Sequence, residues 1–99
     1  MPTLAKKQLT HLRQLAHEIK PIIIIGNKGL TESVMEEIKL ALEHHELIKV
    51  RVNAGEREAR TEMIEQIKNE CDAEIVITIG HIVGLYKPAK EPKIILPKK

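Results

Sequence analysis

Apolar residues recur along this chain with two periods, and the switches between them mark out the expected elements. Leu4, Ala5, Leu9, Leu12, Leu15, Ala16 and Ile19 fall on one arc at about 100° per residue. They predict a helix from a Thr3 N-cap to about Ile19. Lys20-Pro21 ends it, because the residue before a proline disfavours the α conformation. Four consecutive isoleucines, Ile22 to Ile25, predict a strand buried on both faces. Leu30, Val34, Ile38, Ala41 and Leu42 trace a second helix to about His44. Thr31 or Ser33 can open it as N-cap, and Ser33 with Glu36 has capping-box spacing. In Leu47 to Val52 the residues Ile48, Val50 and Val52 point one way and Lys49 and Arg51 the other, as in a strand. Asn53-Ala54-Gly55 reads as a turn, and a third helix spans Glu56 to about Glu70 with Ala59, Met63, Ile64, Ile67 and Cys71 inward. Glu74 to Ile79 and Ile82 to Lys87 read as strands paired antiparallel through Gly80-His81. The order αβαβαββ implies crossover connections, hence an α/β (α+β) domain over residues 1–87 with a mixed sheet of about four strands. Residues 88–99 form a basic tail rich in proline and lysine, expected as a disordered solubilising end or an extended RNA-contacting arm, in which Ile94-Ile95-Leu96 is compatible with a short edge strand.

Charge changes this picture more than overall composition does. The net charge is only +2, but residues 1–30 carry +4, residues 31–74 carry −6 and residues 75–99 carry +4. If the two ends meet in space, the fold has a basic side and an acidic side. The longest wholly apolar run is the four isoleucines, far too short to span a membrane as a helix. The N-terminal residues lack the pattern of a secretory signal, and Cys71 stands alone, so a reducing cytoplasm is the expected setting. Tyr86 is the one aromatic residue among Phe, Tyr and Trp. Any nucleic-acid binding must therefore rest on backbone contacts, shape and charge rather than aromatic stacking. With so few aromatics and no apolar surface stripe, a monomer is the expected state.

The chemistry concentrates between the first strand and the second helix, in Gly26-Asn27-Lys28-Gly29. Two glycines let the backbone bend tightly and approach another molecule, the following helix N-terminus favours anions, and Lys28 adds a mobile positive charge. The spacing is GxxG, neither the Walker GxxxxGK[ST] nor the dinucleotide GxGxxG, so a nucleotide cofactor is not implied. Lys6, Arg13, His17 and Lys20 align as a basic stripe beside the apolar arc of the first helix. Lys49 and Arg51 are weaker candidates for the same surface. The alternative is that such side chains fringe the core and are merely solvated. Adjacent His44 and His45 diverge on a helix, His11 and His17 face differently, and neither CxxC nor HExxH spacing occurs, so no metal site is expected. No triad or nucleophile-elbow pattern nominates a catalytic residue.

Lys20-Pro21 followed by the apolar strand and GNKGLTESV, then His45-Glu46-Leu47-Ile48-Lys49-Val50, then Ile79-Gly80 and Leu85-Tyr86-Lys87, resembles in order the CRM domain. This is the chloroplast RNA splicing and ribosome maturation module, and the likeness is closest to its small stand-alone bacterial form, the YhbY-like proteins. The resemblance covers roughly residues 4 to 87 and implies an αβαβαββ fold similar to the C-terminal domain of a bacterial translation initiation factor. It also implies a non-enzymatic RNA-binding protein, contacting RNA through Gly26 to Gly29 and associated with precursors of the large ribosomal subunit. Two positions depart from the pattern: His81 stands where a more basic or amide residue is usual, and Lys87 where arginine is common. Lysine lacks the bidentate fork of arginine.

Two other readings stay open on sequence grounds. The acidic middle segment suits a protein–protein adaptor that docks a basic partner. The GxxG loop also suits a small phosphometabolite binder, which would place a concave apolar pocket beside Gly26.

Overall fold

The computed structural model describes residues 4–53, 55–89, 94 and 96. Helix α1 spans Lys6–Glu18, strand β1 Ile23–Ile25, α2 Glu32–His45, β2 Leu47–Val52, α3 Arg57–Cys71, β3 Glu74–Ile79 and β4 Ile82–Tyr86. The four strands form one sheet in the order β1-β2-β4-β3. β1 runs parallel to β2, while β2 and β3 each pair antiparallel with β4. This is the mixed α+β sheet that the alternation of helices and strands implies.

Alternation along each strand divides the core into two layers. On one face, Ile23, Ile25, Ile48, Val50, Val52, Val83 and Leu85 meet Met35, Ile38 and Leu42 of α2 and Ile67 and Cys71 of α3. On the other, Leu12 and Ala16 of α1 bury Leu47, Val76 and Tyr86, with Ile94 and Leu96 of the C-terminal segment packed alongside. Each such fully buried Leu or Ile contributes about 1.5–3 kcal/mol, so both layers are needed to hold a domain this small.

Several local readings shift. α1 leaves this part of its sheet face uncovered, so Ile22 and Ile24 are 52% and 62% exposed and the expectation of burial on both faces of β1, an edge strand, fails. Only one side of the isoleucine run meets a helical layer. Thr31, rather than Ser33, caps α2, its Oγ1 accepting from the Val34 N–H at 3.1 Å. Met35 joins the buried face of α2, although the periodic reading passed over it. α1 begins after Ala5, whose N–H donates to Gln8 Oε1 at 3.0 Å; the expected cap, Thr3, lies outside the described residues. Ala54, Ile95 and the greater part of the predicted tail lie outside them as well.

The sheet register decides which parts of the α1-side face are covered. Three rows of side chains cross that face: Leu47–Tyr86–Glu74, then Lys49–Gly84–Ile77, then Ile24–Arg51–Ile82–Ile79. The side chains that α1 buries belong to the first row and to the β3 bulge around Val76 and Ile77. The third row begins four residues further along β2, about 13 Å away, and α1 leaves it open.

Candidate nucleic-acid interface

The Gly26–Gly29 loop leaves the edge strand at the end of the sheet that α1 does not cover. The Gly29 N–H donates to the Gly26 carbonyl at 2.9 Å, closing a tight turn with Asn27 and Lys28 at its exposed tip. Gly29 has φ +72°, a left-handed conformation open to glycine at little cost. Gly26 is glycine for no internal reason: a Cβ there would meet nothing within 4 Å. The Asn53 N–H donates to Ile25 O (2.9 Å) and the Val52 N–H to His81 O (2.7 Å), so the loop, the end of β2 and the β3–β4 turn share one end of the molecule. His81 Nδ1 lies 3.1 Å from the Val52 carbonyl, which ties the ring into this framework.

The structure divides the basic residues singled out in the sequence. Arg51 and Lys49 sit on the α1-side sheet face, and the Arg51 Nε donates to Asn53 Oδ1 at 3.1 Å. Lys20 lies at the opposite end of β1, lining a shallow dent with Ile22, His45 and Leu47. Arg13 is exposed on α1 but donates from Nε to the Val76 carbonyl at 2.9 Å, anchoring the helix to the β3 bulge. Lys6 and His17 are exposed on the same helix. The loop and Arg51 therefore come together, and the α1 residues extend the same side of the sheet toward its other end.

Charge segregates across the sheet. α2 and α3 carry eight glutamates against four lysines and arginines. The layer opposite carries Lys6, Lys7, Arg13, Lys20, Lys49 and Arg51 against two acids, Glu18 of α1 and Glu74 at the far end of β3, while β1, β2 and β4 have none. The acidic middle of the sequence is thus largely the helical layer behind the sheet. A groove bordering Leu30 is lined by Thr31, Glu32, Met35, Glu36, Lys39, Gln66 and Glu70, and its three carboxylates outnumber the single ammonium, which disfavours a small anion. Among the described residues no three His, Cys, Asp or Glu side chains gather to hold a metal ion, and no helix is long and apolar enough to cross a membrane.

Sequence reasoning missed Glu46. It ends α2 with φ +63° and is 1% exposed. Its carboxylate accepts from the Ala89 N–H (3.4 Å) and the Ile94 N–H (3.3 Å), and its carbonyl from the Lys87 N–H (2.8 Å). A buried acid needs such partners, and here they come from the C-terminal segment. Burial raises the Tyr86 hydroxyl above its ordinary range, and the neighbouring Glu46 charge adds to the shift. Burial likewise pushes the Cys71 thiol up, opposed by Lys39 and Lys87.

Comparison with known proteins accords with this architecture. The CRS1 / YhbY (CRM) domain family matches residues 4–87. The chain is 50% identical to an RNA-binding protein of Haemophilus influenzae over 99 residues, the full length of both. It is 37% identical to the Bacillus subtilis protein YqeI, named a probable RNA-binding protein, over 91% of this chain and 94% of that one. The solution structure of the hypothetical protein SAV1595 from Staphylococcus aureus superimposes with a TM-score of 0.81 at 36% identity, covering 96% of this chain and all of the other. The turn at the end of an edge strand, the basic layer beside it and the match over residues 4–87 agree: this chain belongs to the CRS1/YhbY (CRM) domain family.

Proposed function

We propose that this protein is a non-catalytic, cytoplasmic RNA-binding protein that joins precursors of the large ribosomal subunit and holds structured RNA through the Gly26–Gly29 loop. The observation that carries this reading is the loop's position: an exposed glycine turn with Lys28 at its tip, at the end of a sheet whose one side is basic and whose other side is acidic. Such a dipolar molecule presents its loop side to a polyanion and turns its acidic helices away. Relatives named RNA-binding proteins support the ligand class. Gly26 and Gly29 admit the sugar–phosphate backbone, Asn27 and Lys28 contact phosphate, and Lys49 and Arg51 with Lys6, Arg13, His17 and Lys20 supply the surrounding field.

The test is binding of a structured RNA fragment together with sedimentation of a lysate at low salt. Lys28→Glu is expected to weaken RNA binding about tenfold or more while the thermal midpoint stays put, since Lys28 is exposed. The protein is expected to migrate with large-subunit precursors and to leave them in high salt, as counterion release loses its drive. Unchanged affinity in Lys28→Glu refutes the loop's role. A complex that survives nuclease points instead to a protein partner on the acidic helical layer.

A further inference from the structure

The open end of the sheet carries a continuous row whose isoleucines phosphate binding does not use. Ile24, Arg51, Ile82 and Ile79 are register partners across all four strands, so their side chains stand side by side on one face. Ile24 is 62% and Ile79 54% exposed, Arg51 is exposed and Ile82 is half-buried. Single exposed apolar residues need no explanation, but a contiguous row of them does. Here three isoleucines flank one arginine at the rim of the loop.

Arg51 is the informative member. Its Nε–H is committed to Asn53 Oδ1 at 3.1 Å, which restrains a planar guanidinium beside Ile24. A held guanidinium offers a flat, cationic surface on which a nucleobase can stack, and isoleucines on both sides supply apolar contact to the base and ribose. No acidic residue occurs in β1, β2 or β4 to repel the attached phosphates. Ile24 precedes Gly26 by two residues on the same strand, so a nucleotide on the row lies next to phosphates on the loop.

We infer that the Ile24–Arg51–Ile82 row is a base-binding shelf that takes unpaired nucleotides flanking the structured RNA held by the loop. The inference rests on the RNA-binding reading and specifies what part of the RNA the sheet receives. The ligand class is single-stranded RNA with its bases exposed, recognised without aromatic side chains.

The test uses the full chain and three RNA probes sharing one hairpin: blunt-ended, with an unpaired flank, and with a flank of the same length made of abasic sugars. The abasic flank keeps the phosphates and removes the bases. Wild-type protein is expected to bind the base-bearing flank about tenfold more tightly than the abasic one, the scale of one stacked base. Ile24→Ala is expected to abolish that difference while leaving the blunt hairpin's affinity within about twofold, and Arg51→Lys is expected to abolish the difference between the base-bearing and abasic flanks, because lysine keeps the charge and loses the plane. Ile24 is exposed, so its truncation leaves the fold intact. Equal wild-type affinity for the base-bearing and abasic flanks overturns the shelf. So does a full difference persisting in both variants, or an equal loss on every probe, which would make the row a general phosphate contact. Loss of a bound protein in the variants with RNA binding unchanged overturns it in favour of a protein-docking face. Lys28→Glu measured on the blunt hairpin reports on the loop separately, so failure of the shelf and failure of the loop are distinguishable.

Discussion

Gly26 and Gly29 bracket the same loop for different physical reasons, and alanine at each position separates them. An added Cβ at Gly26 meets nothing within 4 Å, and its φ lies outside the left-handed region. Gly26→Ala should therefore cost the fold nothing and can gain about 0.4–1 kcal/mol by restricting the unfolded chain. At Gly29 the Cβ would make only an ordinary 3.6 Å contact with Met63 Cε, but φ is +72°. Holding an alanine there costs about 1–2 kcal/mol. For a domain of this size 1 kcal/mol moves the thermal midpoint by about 4–8 °C. Thermal melts should thus show Gly29→Ala clearly below wild type and Gly26→Ala at or slightly above it. RNA binding followed by fluorescence anisotropy on a hairpin should show the opposite emphasis for Gly26. A methyl group facing open solvent in the free protein stands where the RNA backbone must pack, and affinity should fall about tenfold. A Gly26→Ala protein that melts like wild type and binds RNA like wild type would refute close backbone approach at this position. Reduced stability of Gly26→Ala would refute the reading of its surroundings as open.

Three further outcomes follow from the core. In Gly84→Ala the new Cβ would lie 2.7 Å from Ile77 Cγ2 and 3.1 Å from Val76 Cγ2 at the β3 bulge; overpacking of this kind costs about 1–3 kcal/mol, read as a lower urea midpoint. Glu46→Ala strips the acceptors from the Ala89 and Ile94 amides, at about 1 kcal/mol given the length of both bonds. Hydrogen exchange at those two amides should accelerate well before exchange in the strands. Cys71 and Tyr86 both have folded-state pKa values raised chiefly by burial, so folding favours their protonated forms. Their contribution is complete below the ordinary thiol range and is lost as pH rises through the raised values. Urea midpoints should be level from neutral pH to the edge of that range and fall above it, and Cys71→Ala should blunt the early part of the fall.

Most of the fold was legible because it rests on local periodicity. β2 has the predicted limits, and its inward residues Ile48, Val50 and Val52 are those the alternation assigns. The isoleucine run was misread because four identical apolar residues carry no period, and only sheet order together with the placement of α1 tells which face is left open. That order depends on contacts far apart in sequence, such as Ile24 with Arg51. The same non-locality hid the open row, whose members come from four separate segments. Glu46 was hidden because an acid after a helix, among many solvated ones, gives no local sign that the C-terminal segment will return to it. The one available cue is its position between the last turn of a helix and an apolar strand.

The scarcity of aromatic side chains and the exposure of the isoleucines express one constraint. The sole tyrosine is spent in the core beneath α1, packed with Leu12, Ala16, Leu47 and Val76. Apart from its exposed histidines, the surface is left with aliphatic side chains and guanidinium groups as its proposed means of touching a base. These contacts have weak hydrogen-bonding preferences, so discrimination between base sequences should be slight while discrimination between paired and unpaired nucleotides is marked. Phosphate contacts at the loop and along the basic layer would then set affinity and its steep salt dependence. With the loop and the shelf acting as proposed, the protein would select RNA by the junction it presents, a structured element beside a single strand, rather than by a written sequence.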